Sequence, residues 1–562
     1  MAAIMTLVVA GASPALAQQS RLQTKSKSTF TLDPKRQRVN VVVDIVITNR
    51  TPPSVRSGPC PSDPRRTCRT TTNYYTESWG FLAIQHGARN LRVRGPGVSA
   101  RVANQNDTYK NYSIGFDRIQ RGQTARLKVT YHLPAARARS GNSTRISPAY
   151  AHFCWHGQPT KAGSVIAILP PGYEPTTQHA NVRIAGSRKR VKVTPSKRVR
   201  PGKFYACTDS LDTDEILETR TVSPSGQVVT VQGWPDDPTW TDAVTGAVED
   251  TLPTLEELIG TPIPAEGLTI VEVASQALGG YAGDFSNRSG NVRVGEQADD
   301  PIVITHELAH AWFNHQTLGE KWMYEGAAEW VAREANGDRC DWRSRPVGDE
   351  EVPRLRKWRQ LGPEPTDAER SFVSAQYFLA CDTYDRMADL AGEENVATVI
   401  AALLGRTAKY GGSTPRKPPK PDWKEWLDAV EELGMAANGW LPNTLMADEL
   451  VEAGIARRKD LAGRVEARTE YHRFLRGPRS AAMPLVVRDL MDSWTFDKAR
   501  EGIAIADETM ALAEAWDRAN DGSTAEGVAA RLAGVTDLKA LRRLKKAVGK
   551  DPVGASESPR RE

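Results

Sequence analysis

Three observations predict a multidomain α+β chain: a β-sandwich-like N-terminal region, an α+β middle domain and an α-helical C-terminal domain. The chain has 562 residues, too many for one hydrophobic core and enough for roughly three or four domains. Its hydrophobic period changes from two to about 3.6 near residue 233. A stretch rich in Pro, Lys and Gly at 410–421 then precedes a series of Ala-, Leu- and Glu-rich segments.

Residues 1–17 read as a secretory signal: 2–12 is largely apolar, and Ala15-Leu16-Ala17 supplies a small-x-small cleavage site, although no cation precedes the apolar run. A secreted or cell-envelope location is the expectation. Residues 18–232 read as β. Alternating or β-branched runs at 39–48, 91–95, 125–131, 164–170 and 227–232 are separated by Gly, Pro and Asn clusters, the pattern of one or two sandwiches. The isolated His152, His156 and His179 read as surface or hydrogen-bonded residues rather than ligands.

From 233 to 409 the order is a helix at 240–259, strands at 268–273 and 291–294, and helices at 302–315, 321–334 and from 376 to Gly392. After the linker at 410–421, helical periodicity at 423–433, 447–457, 461–476 and 496–520 predicts an α-helical domain over 422–549. The polar end, 550–562, reads as a disordered tail.

Apolar content of 40% and charged content of 25% are ordinary for a globular protein. Net charge is +6. The basic stretch 188–200 could bind a nucleic acid or an anionic envelope, but its alternation with Val and Thr reads as a solvated hairpin, and no nucleic-acid partner is expected. No stretch reaches the ~20 apolar residues of a membrane span. The six cysteines contain no CxxC pair. Six allow fifteen disulfide connectivities. Neighbour pairing would give Cys60–Cys68, Cys154–Cys207 and Cys340–Cys381, whereas in a reducing compartment all six would be thiols.

Residues 306–310 read His-Glu-Leu-Ala-His. With only nine histidines in the chain, chance gives such a pentapeptide about one time in a hundred. On a helix, His306 and His310 lie one turn apart on one face and can reach a single cation. Glu307 lies beside them, within reach of a water at that cation. The alternative is a helix with two capping or surface histidines and an ion-paired glutamate. Catalytic zinc usually takes three protein ligands and a water. The next helix offers Glu325 and Glu329, again four apart: one can bind the metal and the other can hold a ligand histidine by its second nitrogen.

These motifs carry a resemblance. His306–His310 with Ala311-Trp312-Phe313, then Trp322-Met-Tyr-Glu-Gly-Ala-Ala-Glu329, is similar to the gluzincin zinc metallopeptidases of the aminopeptidase N-like, or peptidase MA-like, branch. The resemblance implies a thermolysin-like α+β catalytic domain over 233–409, one Zn²⁺ per chain, a peptide or protein substrate, and an edge strand that pairs with extended substrate. The family's glutamate before glycine maps onto Glu325, while the family's spacing lands on Glu329. The local motif favours Glu325 as ligand, leaving Glu329 as the histidine's partner. The helix through Gln376 resembles the one bearing the family's catalytic tyrosine, which maps onto Tyr377; the other reading makes Tyr377 and Tyr384 core aromatics. In place of the family's G-x-M-E-N strand the chain has Leu278-Gly-Gly-Tyr-Ala-Gly-Asp-Phe-Ser286, where Asp284 is the one acidic residue. The choice between endopeptidase and aminopeptidase is thus open, as is the oligomeric state. The expected function is a secreted zinc-dependent metallopeptidase with Glu307 as general base. The alternatives are a gluzincin hydrolase of non-peptide substrates and a non-catalytic binding module on a protease scaffold.

Overall fold

The computed structural model describes residues 22–557 apart from 107–108, 138, 140–143, 177–181, 188–189, 197–199, 265–266, 287–288, 341–353, 362–365, 414–419 and 435–444. The expected signal at 1–17, His179 and most of the expected linker lie outside the described residues.

The N-terminal region is a sandwich. Its larger layer is a seven-stranded sheet built around β1 (Leu22–Asp33), β2 (Arg38–Asn49), β3 (Arg89–Arg94) and β4 (Thr124–Pro134), joined by Ala162–Leu169, Val182–Ser187 and Arg190–Pro195. β1 pairs antiparallel with β2 and parallel with Ala162–Leu169. Strict alternation along β1, β2 and β4 buries one face. Phe30, Val43 and Val129 from that face meet Trp79 and Ile114 of a three-stranded sheet and Phe153 and Trp155 of a four-stranded one. Val182–Ser187 and Arg190–Pro195 form the expected hairpin of the basic stretch at the sheet's edge. His152 and His156 are buried, hydrogen-bonded to Asp209 and to the Ala83 carbonyl.

The β region ends earlier than residue 232. Leu217–Val222 and Val228–Gly233 belong to the middle domain, where Val228–Gly233 runs parallel to Leu268–Val273 in a five-stranded sheet. A β-branched run such as this fits either sheet, and only its partner decides. The far edge of this sheet is β5 (Gly283–Ser286), antiparallel to β6 (Asn291–Gly295). Helix α1 (Pro238–Ile259) packs Trp240, Val244 and Leu252 with Val292, Val294, Ile304 and Leu308 in one core.

Helix α2 (Pro301–Ala309) starts where Asp300 caps Ile302 N and Pro301 takes the first helical turn. It stops short of the expected 315. Trp312 and Phe313 turn into the core, and Asn314 Nδ2 bonds the His310 carbonyl at 3.0 Å, closing the turn. Helix α3 (Lys321–Ala335) follows, then α4 (Asp367–Ala391), which opens with a Thr366/Glu369 capping box. Disulfides join Cys60 to Cys68, Cys154 to Cys207 and Cys340 to Cys381; the last ties the segment after α3 to α4.

The boundary expected at 422 also moves. Trp423, Trp426, Leu450 and Ile455 share the core of α1–α4, so 423–434 and 445–456 complete the middle domain. A separate helical core gathers Tyr410, Tyr471, Met491, Ala506 and Leu532. The visible ends of the expected linker are pinned: Asp492 accepts from the backbone N–H of Lys409 and Tyr410, and Gly319 N donates to the Pro421 carbonyl at 2.8 Å. Buried Arg464 and Arg468 ion-pair with Asp428, Glu431 and Glu432, stitching the two cores together. The expected disordered tail instead begins with a helix, Pro552–Ser556, capped by Asp551, with Ala555 buried. No helix among the described residues is long and apolar enough to cross a membrane.

Candidate metal centre

Helices α2 and α3 bring five of the expected site residues into one buried cluster: His306, Glu307, His310, Glu325 and Glu329. The two imidazoles meet edge to face, centroids 4.8 Å apart. His310 Nδ1 donates to the Phe313 carbonyl at 2.6 Å, which leaves Nε2 as the nitrogen with a free lone pair. That carbonyl is available because α2 ends where it does. The early stop of the helix therefore fixes the tautomer of His310.

The two glutamates sit on different nitrogens. Glu325 Oε2 is 3.5 Å from His306 Nε2 and 3.4 Å from His310 Nε2. Glu329 Oε2 lies 3.0 Å from His306 Nδ1, an oblique contact off the N–H axis. Bonds of about 2.0–2.2 Å around a tetrahedral zinc put neighbouring ligand atoms roughly 3.3–3.6 Å apart. The spacing of the Glu325 oxygen from both Nε2 atoms falls in that range, and the three donor atoms all lie within 4.8 Å of one another. The residues present fit a zinc ion.

Each carboxylate is steered from behind. Arg333 grips Glu329 Oε1 through Nε at 2.9 Å and Nη2 at 2.8 Å. Lys321 Nζ stands 3.5 Å from Glu325 Oε1. Burial alone would raise both carboxyl pKa values. His306 and His310 outweigh it and hold Glu325 well below its usual value, while His306 and Arg333 hold Glu329 at about 2. The reciprocal effect pushes His306 up to about 10: burial opposes its charge, and Glu325 and Glu329 overcome that opposition.

Glu307 behaves differently. Burial pushes it up to about 7, with His306 and His310 pulling down and Glu325 pushing up. Its side chain lies under Gly283 on β5, where a Cβ would come within 2.5 Å of Glu307 Cγ. Tyr377 on α4 also reaches the cluster. Its ring centroid is 5.8 Å from that of His306, and burial followed by Glu325 and Glu307 raises its phenol well above the ordinary value. Trp358 meets the same ring edge-on at 5.0 Å. Tyr384 is a core residue whose hydroxyl donates to the Met323 carbonyl. Asp284 is ion-paired with Arg293, whose Nε donates to it at 2.7 Å.

Sequence reading does not reach Gly283, Lys321, Arg333 or the Phe313 carbonyl. Arg333 was within reach, since it stands four residues after Glu329 on the same helix. Gly283 is a glycine in a strand, a signal of close backbone approach that does not name its neighbour.

No protein-family model matches the chain, and no curated protein matches it. Solved structures that it is similar to include an M1 zinc metallopeptidase from Deinococcus radiodurans, at 14% identity and a TM-score of 0.35, covering 78% of this chain and 96% of that one. A mutant of that enzyme bound to a Tyr-Ser-Ala substrate has 14% identity, a TM-score of 0.33 and coverage of 78% and 96%. A two-domain M1 zinc metallopeptidase mutant bound to L-arginine has 14% identity, a TM-score of 0.35 and coverage of 78% and 95%. At these values the chemistry of the site has to be read from its own residues.

Proposed function

We propose that this chain is a zinc-dependent metallopeptidase that hydrolyses peptide bonds, with His306, His310 and Glu325 as metal ligands and Glu307 as general base. The observation that carries the reading is the convergence of two imidazole Nε2 atoms on one Glu325 oxygen at 3.5 and 3.4 Å, with the Glu307 carboxyl in the same buried cluster. Zinc held there supplies Lewis-acid polarisation of a carbonyl and a water acidified towards pKa ~7. Glu307 takes the proton from the attacking water and passes it to the departing amine.

Glu329, braced by Arg333, stands 3.0 Å from His306 Nδ1, a place from which it would orient the imidazole as zinc binds. The Tyr377 phenol donates to the oxyanion of the tetrahedral intermediate, a contribution worth about 3 kcal/mol where such a donor is removed. Strand β5, at the edge of its sheet among the described residues, is where an extended substrate would add. Three disulfides suit a chain that works in an oxidising compartment, in keeping with the signal read at 1–17.

The test is Glu307→Gln. Purified wild type should contain close to one zinc per chain and cleave peptides from an unbiased library. The variant should keep the zinc and lose turnover. Full turnover by the variant, or wild type without bound zinc, sinks the proposal.

A further inference from the structure

Charge is spread unevenly along this chain. Residues 54–137 hold fourteen Lys and Arg against four Asp and Glu, although the whole chain nets only +6. Part of this excess gathers on the outer face of the seven-stranded sheet. Alternation that turns Phe30, Val43 and Val129 inward turns Lys25, Lys27, Asp44, Arg126 and Lys128 out into solvent.

The pairing register sets these groups in rows. Arg94 lies opposite Lys128, Lys128 opposite Asp44, and Asp44 opposite Lys27, one row crossing β3, β4, β2 and β1. Arg126 and Lys25 stand in the next row with Val46 between them. Strands are about 4.8 Å apart, so the first row presents three cations and one acid over roughly 14 Å. Like charges directly opposite each other destabilise a sheet, and the Arg94–Lys128 pair is of that kind. Among the described residues none of these five cations forms an ion pair, while arginines elsewhere in the chain, such as Arg333, Arg464 and Arg479, are paired. An open groove of about 390 Å³ lies among them, lined by Asp44, Val46, Arg94, Gly95, Arg126 and Lys128.

A face on which five cations gather around an open groove, with one acid among them, is fitted to an external anion. We propose that this face binds a linear acidic polysaccharide, laid across the strands along the row from Arg94 to Lys27. Cations in two neighbouring rows, with a groove between them, suit a flexible chain with repeated charges. Thr29 and Thr130, outward in the adjoining row, offer hydroxyls to a sugar backbone. No aromatic side chain stands in these rows to stack on a base, as single-stranded nucleic acid would require. The apolar side chains in these rows, Val42, Val46 and Ile166, are half-buried and offer little to a bilayer.

The test uses the intact protein and a fluorescently labelled heparin decasaccharide, read by anisotropy across a salt series. Binding should weaken linearly in log salt, as release of counterions requires. The variant Lys27→Gln/Arg94→Gln/Arg126→Gln/Lys128→Gln should bind about 100-fold more weakly at low salt and show a shallower salt slope. A matched variant, Lys539→Gln/Arg543→Gln/Lys546→Gln/Lys550→Gln, removes the same charge from exposed sites on the C-terminal domain and should bind like wild type. Thermal melts of both variants confirm folding. Equal losses in the two variants would reduce the effect to net charge and overturn the proposal. So would absence of heparin binding, or tighter binding of single-stranded DNA of equal charge or of phosphatidylglycerol vesicles.

Discussion

Replacing Gly283 by alanine should disable Glu307, the proposed general base, while leaving the proposed metal ligands in place. The backbone at Gly283 is not in the left-handed region, so the cost of the new methyl is steric. Its Cβ would sit 2.5 Å from Glu307 Cγ and 2.9 Å from Cδ, against 3.4 Å or more for an ordinary contact. The side chain must retreat by about 0.9 Å, because the carbonyl of Arg293 at 3.0 Å closes off movement of the strand. A misplacement near 1 Å at a reacting group costs on the order of 100-fold in rate. Overpacking should lower stability by about 1–3 kcal/mol. The assay is kcat on a library-derived peptide beside zinc content by mass spectrometry: turnover should fall about 100-fold with zinc unchanged. In a Glu307→Gln background the same substitution should add almost nothing, since the group it displaces is already disabled. Unchanged kcat, or loss of zinc in step with loss of activity, refutes the reasoning.

Glu325→Gln should weaken zinc binding more than about 100-fold and Glu329→Gln by about 10–100-fold; the reverse ranking in a chelator competition would exchange their roles. Replacing Cys340 and Cys381 by serine opens a loop of 41 residues, worth about 4 kcal/mol of unfolded-state entropy, and should lower the Tm of the middle domain; an unchanged melt would show that α3 and α4 need no tie. Glu272 is buried beside Asp237 and Glu296, and burial first, then those two carboxylates, push it up to about 9. Because the folded state then holds a proton that the unfolded state has released, stability falls as pH rises from about 4.5 to 9. Glu272→Gln should leave stability near pH 5 unchanged and raise it by about 2–4 kcal/mol at pH 8, read from denaturant midpoints; equal effects at both pH values would contradict the buried, protonated carboxyl.

How much of this molecule is legible in its sequence depends on the range of the interactions involved. The clustering of His306 with His310, and of Glu325 with Glu329, follows from helical spacing over one turn, and the helices form nearly where expected. The length of α2 does not follow. Apart from His310, Leu308 to Phe313 is apolar and would continue a helix on periodicity alone, but Trp312 and Phe313 are needed in the core and the chain turns to place them. Domain boundaries fail for the same reason. Trp423 and Trp426 have the helical spacing of either neighbour, and only the aromatic packing of Trp426 on Trp322 and Tyr384 assigns them to the middle domain. The β-branched strand Val228–Gly233 has the same ambiguity. Local order is written in periodicity, whereas the choice among partners lies in contacts far apart in sequence.

The proposed division of roles among the three glutamates comes from such contacts. A buried carboxylate has to be answered by cations or hydrogen-bond donors, or else it takes up a proton. Glu329 is answered by Arg333 and His306, and Glu325 by Lys321 and both histidines, so each stays ionised far below neutral pH. Glu307 has only the partial help of the two imidazoles, and Glu325 pushes against it. Its neighbour on β5 is a glycine, which supplies room but no donor side chain. A glutamate held this way has its carboxyl raised, while its two neighbours are held ionised. The substitution that should most disturb the balance is Arg333→Met: with Glu329 unanswered, His306 loses its brace, and zinc affinity should fall without any change to a ligand.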